Sequence, residues 1–98
     1  MADPGPHGVT FTIRGPIARS DVDELCARFA VALRRSGAEV AVCDVAGLPA
    51  DAATVDALAR LQLTALRLRR RVCLRHASPE LLELVAFVGL GECLRGER

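Results

Sequence analysis

The chain has 98 residues, 51% of them apolar, 26% charged and 3% aromatic, with a formal net charge of +1 at pH 7. That length suits a single globular domain burying roughly 60 to 70% of its unfolded surface and leaves no room for a second. A net charge so near zero excludes a global field that would steer the protein to nucleic acid, and no run approaches the ~18 apolar residues of a membrane span, so neither nucleic-acid binding nor membrane insertion is expected. Partner choice has to come from local patches.

Residues 1–8, "MADPGPHG", are rich in Pro and Gly and read as a flexible N-terminus. They carry neither the basic start nor the apolar stretch of a signal peptide, so a cytoplasmic protein is expected. "VTFTIR" alternates and is β-branched, which predicts a strand from Val9 to Arg14. Gly15 and Pro16 break it, and Ile17 to Arg19 is expected to return as a brief edge strand. Ser20 has N-cap chemistry, and Asp21, Asp23 and Glu24 place negative charge where a helix dipole favours it. Val22, Leu25, Cys26, Phe29 and Leu33 then recur at helical steps until Arg34, Arg35 and Gly37 signal a stop.

The run Val40 to Val45 is almost wholly small apolar or β-branched, suited to a central strand covered on both faces. A second helix is predicted from Ala52 or Ala53 to Arg69, and a strand from Arg71 to His76. Ser78 as N-cap, Pro79 at the first helical position and Glu80 beside the dipole open a third helix that runs to Gly89. A short strand turn near Cys93 and a tail at 96–98 complete a domain spanning 9–95. Strands alternating with helices imply an α/β sheet built from crossovers.

Little in this order carries catalysis. Cys26, Cys43, Cys73 and Cys93 form no C-x-x-C pair and have no histidine at ligand spacing, so they read as small buried apolar thiols, with no metal. No phosphate-cradling glycine loop is present, and no cofactor is expected. His76 follows a strand at the end where α/β sheets keep ligands, but without a nearby nucleophile it reads as a polar strand terminus. The basic segment Arg67, Arg69, Arg70, Arg71 and Arg75 complements a helix C-terminus and has no interleaved aromatic residues for base stacking. An enzyme is not expected.

Three stretches in sequence, "IRGPIARSDVDELCARF", "VAVCDVAGLPADAATVDALARL" and "SPELLELVAFVGL", together resemble the STAS domain family of anti-sigma factor antagonists and sulfate transporter cytoplasmic domains. The resemblance covers about Val9 to Leu94. It implies a small mixed sheet with helices packed on it, in the order β(β)αβαβα, with an N-terminal strand antiparallel to its neighbour. In the family's antagonists an aspartate is followed by one or two serines and a glycine, and a partner kinase phosphorylates the first serine. Asp51 matches the aspartate, Ala52 the phosphoacceptor, Ala53 the second hydroxyl position and Thr54 the glycine. Ala52 has no oxygen to phosphorylate. Thr54 is the alternative phosphorylation site, although its hydroxyl is expected to bond locally to backbone or to Asp51.

The resemblance therefore implies a bacterial, non-enzymatic regulatory module that binds an anti-sigma factor or kinase-like protein. The alternative is an accessory subunit on the ATPase of a lipid-type membrane transporter. Counted at about 100° per residue, Val55, Leu58, Ala59, Ala65 and Leu66 face the sheet, Leu61 and Leu68 extend that stripe on one flank, and Leu63 lies on the other. An apolar arc of roughly 240° exceeds what a half-buried helix needs, so Leu63 is expected outside, rimmed by Asp56, Arg60, Arg67 and Arg70. The expected partner surface is Asp51, Ala52, Ala53, Thr54, Asp56, Arg60, Leu63 and Arg67.

Overall fold

The computed structural model describes residues 8–89 and 94–96. In chain order these form β1 (Gly8–Thr12), a 3-10 turn (Arg19–Asp21), α1 (Val22–Ser36), β2 (Val40–Asp44), α2 (Ala52–Arg67), β3 (Arg71–Arg75), α3 (Pro79–Phe87) and β4 (Leu94–Gly96). The strands pair in the order β1-β2-β3-β4, and all three pairings are parallel. Each pair of neighbouring strands is joined through a helix, and crossovers of one hand along a sheet of this order carry every helix to the same face. The core shows that arrangement: Phe29 and Leu33 of α1, Leu58 and Leu61 of α2, and Leu81 and Val85 of α3 pack in one cluster with Ala41, Cys43, Val72 and Leu74 of the sheet.

Alternation in β1 turns Val9 and Phe11 inward and leaves Thr10 and Thr12 outside. Phe11 meets Phe29 edge-on, ring centroids 5.2 Å apart at 73°. In β2, Ala41, Val42 and Cys43 are all buried, as a central strand requires. Each of the large aliphatic residues fully buried on α2, Leu58 and Leu61, contributes about 2 kcal/mol by leaving water.

Three local expectations are corrected. No described strand runs antiparallel, because the chain reaches β2 from β1 through α1, and a crossover returns the strand in the same direction. Ile17–Arg19 pairs with nothing as a strand. After Ile13 donates its amide to Asp44 O at 2.9 Å the chain leaves the sheet, since Pro16 has no amide to continue the ladder and Gly15 lies so close to Leu48 that a Cβ there would stand 2.5 Å from its Cδ2. Ser20 is not the cap of α1. It sits in the 3-10 turn, where Asp21 N bonds Ala18 O at 2.9 Å, and no side chain caps the helix.

The other boundaries follow their signals. Gly37 closes α1 in the left-handed region at φ 67°, its amide bonding Leu33 O at 3.2 Å. Ser78 caps α3 by accepting from Leu81 N at 3.1 Å, with Pro79 first in the helix. A short strand does follow α3, at Leu94–Gly96, pairing with β3. Cys93 and the segments 1–7 and 97–98 lie outside the described residues.

Candidate functional site

The corner where α2 begins is built by Asp51. Its backbone is extended (φ −135°, ψ 173°) and its Oδ1 accepts the Thr54 amide at 2.8 Å, satisfying one of the helix's orphan donors. Ala52, first in the helix, is exposed, and Ala53 is half-buried. Thr54 is only 1% exposed, and its Oγ1 has no hydrogen-bond partner among the described residues. That corrects two expectations: Thr54 is part of the interior rather than the partner surface, and it meets Asp51 through its amide, not its hydroxyl. Three residues past the cap, a side chain points inward with the helix's core stripe of Leu58, Leu61 and Ala65.

On its other flank the corner opens into a groove of about 480 Å³ between α2 and α3, lined by Ala52, Val55, Asp56, Ala59, Leu84 and Val88. Phe87, at the end of α3, is 87% exposed and Val88 is 48% exposed. These α3 residues were missed in the sequence. The signal was there: "LLELVAF" is apolar almost all round, but a short helix on one face of a sheet can bury only a stripe, here Leu81 and Val85, so the rest must show.

The remaining predicted residues lie along the outer face of α2. Arg60 is held between two acids, Asp56 Oδ2 on its own helix at 3.2 Å and Asp23 Oδ1 of α1 at 3.8 Å. Leu63 is exposed at 49%, and Arg67 is exposed one turn further on. Ala59 and Leu66 were expected against the sheet, but Ala59 is half-buried and lines the groove with Leu84 and Val88 of α3, and Leu66, two turns further on the same flank, is 54% exposed. Asp51, Ala52 and Asp56 thus cluster at the corner, while Leu63 and Arg67 extend the surface along the helix to roughly 16 and 22 Å from Ala52.

At the carboxyl ends of β2 and β3, His76 Nδ1 lies 3.2 Å from Asp44 Oδ1. The Ala46 amide, also 3.2 Å from that oxygen, holds the Asp44 carboxyl below its usual range, with His76 and Arg75 adding to the effect. Among the described residues no activated nucleophile accompanies the pair. Burial pushes the Cys43 thiol up to about 12, and burial likewise raises Cys26. Among the described residues no three metal-binding side chains converge, and no helix is long and apolar enough to cross a membrane. The arrangement offers an exposed helix start beside an apolar groove.

No family profile and no curated protein sequence matches the chain. Solved structures do match its fold. The anti-sigma factor antagonist SpoIIAA in its unphosphorylated form superposes with a TM-score of 0.70 at 16% identity, over 99% of this chain and 85% of that one. The Bacillus cell fate determinant SpoIIAA in the phosphorylated form gives 0.65 at 15% identity, over 99% of this chain and 88% of that one. From β1 through β4, the chain has the fold of the anti-sigma factor antagonist SpoIIAA, the STAS fold that its three sequence stretches resemble.

Proposed function

We propose that this protein is a non-enzymatic regulatory module of the anti-sigma factor antagonist type, which binds a protein partner through the start of α2 and the adjoining α2–α3 groove. The observation that carries this reading is the exposed Ala52 at the first position of α2, in a fold shared over 99% of the chain with a protein known in unphosphorylated and phosphorylated forms. A phosphate at a helix N-terminus is stabilised by the dipole while its charge repels an apolar partner face. Ala52 presents a methyl group instead, so the surface stays apolar and binding is set by the partner's abundance rather than by a kinase.

The test is affinity capture from the native host with wild-type protein and with Ala52→Asp as baits. The expected result is one anti-sigma factor or kinase-like protein retained by the wild type and lost with the carboxylate in place. Capture of a transporter ATPase, or equal capture by both baits, contradicts the reading.

A further inference from the structure

We propose that the pole of the molecule at the amino ends of β2 and β3 docks the protein on an anionic lipid surface. Arg34, Arg35, Arg67, Arg69 and Arg71 are all exposed there. The two connections that carry them are bonded side by side. Arg71 N donates to Glu39 O at 2.9 Å, while the half-buried Arg70 donates from Nη1 to Ala38 O and from Nε to Leu68 O. Arginines that close α1, close α2 and open β3 are thereby gathered in one place by backbone geometry.

A helix C-terminus accounts for part of this charge but not all of it. Helices α1 and α2 both end here, each bringing about half a negative charge, and Glu39 adds one more, so among the described residues roughly three positive charges remain uncompensated. None of the five arginines forms an ion pair among the described residues, whereas Arg60, midway along α2, bridges Asp56 and Asp23. Acids collect at the opposite pole, with Asp23, Glu24, Asp51 and Glu80 at helix starts. The net charge of +1 conceals an uneven distribution of charge, with these five arginines gathered at one pole.

Three features favour lipid phosphates over other polyanions. The chain contains no lysine, so its 13 basic residues are all arginine, whose guanidinium fork engages phosphate oxygens in pairs. No aromatic side chain accompanies the patch for base stacking, since the described phenylalanines lie in β1, in the core and at the end of α3. An acidic peptide would be gripped in a groove, and the grooves of about 490 and 480 Å³ lie elsewhere, one between the carboxyl end of β1 and the start of α1, the other between the first half of α2 and α3. Leu66, 54% exposed in the last turn of α2 beside Arg67, adds an aliphatic chain able to enter the headgroup boundary.

Co-sedimentation of the full chain with phosphatidylcholine vesicles, with and without phosphatidylglycerol, tests this. Each arginine near an anionic surface strengthens binding by roughly fivefold, so Arg35→Gln with Arg71→Gln should weaken it about 25-fold. Both positions lie outside the α2 partner surface, so this result is separable from partner binding. The charge-matched pair Arg14→Gln with Arg19→Gln, at the other pole, should bind as the wild type does. Binding should need phosphatidylglycerol and disappear at high salt. Failure to bind anionic vesicles, equal loss in the control pair, or stronger binding to duplex DNA or polyglutamate than to vesicles would overturn the proposal.

Discussion

Asp51 and Thr54 are joined at 2.8 Å, carboxylate oxygen to backbone amide, and that bond sets where α2 starts and which side of its first turn faces solvent. Removing it in Asp51→Ala should cost about 1 kcal/mol, the usual value of an N-cap, and lower the melting temperature by roughly 4 to 8 °C. Asp51→Ser should keep most of the stability. A thermal melt in which Asp51→Ala is indistinguishable from wild type would show that α2 begins without help from its cap.

The same geometry separates the two hydroxyl questions at this corner. Ala52 is exposed, whereas Thr54 is 1% exposed. Incubated with an antagonist-type kinase and ATP, the wild type should take up no phosphate and Ala52→Ser should take up one per chain, as intact mass would report. Phosphate on Thr54 would require the first turn of α2 to unwind, and its detection in protein from the native host would contradict constitutive binding.

Leu58 and Leu63 sit on opposite sides of α2, 0% and 49% exposed. Leu63→Asp should change stability by no more than about 0.5 kcal/mol and weaken partner binding, while Leu58→Asp should unfold the domain by burying a charge. Urea titrations of both, with binding measured for Leu63→Asp, decide it. Unimpaired binding, or collapse of that variant as an unfolded protein, would refute the assignment of this face.

Much of this was legible because the signals are local. The cap Ser78, the stop at Gly37 and the apolar run that becomes β2 each depend on chemistry within a few residues; the strand spans Val40–Asp44, with Ala41 to Cys43 buried and its two end residues half-buried. What could not be read were properties of the assembly. Ser20 has cap chemistry, but the preceding loop tightens into a 3-10 turn and supplies the bond by backbone. Leu66 lies on the apolar side of its helix but two turns past Ala59, the last α2 residue in the groove shared with α3, and stays exposed. The exposure of Phe87 and Val88 was not singled out, because a nearly all-apolar helix does not announce which stripe the sheet will take.

The Cys43 thiol gives a pH dependence with a definite sign. Its pKa in the folded protein is raised from 9.0 to about 12, so above about pH 9 the unfolded chain loses the proton first and the native state is disfavoured. Stability is therefore fully present below that pH and should fall by up to about 1.4 kcal/mol per unit as pH rises toward 12. The chain has no tyrosine and no lysine to titrate in this window, but Cys26, which burial also raises, adds to the slope, so the Cys43 share is read from the difference between wild type and variant. Urea unfolding from about pH 8 to about pH 11 measures the slope. It should be shallower in Cys43→Ala, and an equal slope in that variant would remove Cys43 as its source.

The most direct test of partner docking at the α2 corner is site-specific photocrosslinking in the native host, with a photoreactive residue placed at Ala52 in one strain and at Glu39, on the opposite pole, in another. Ala52 should yield one discrete protein adduct, an anti-sigma factor or kinase-like partner, that Glu39 does not. No adduct at Ala52, or the same adduct from both positions, would contradict docking at this corner.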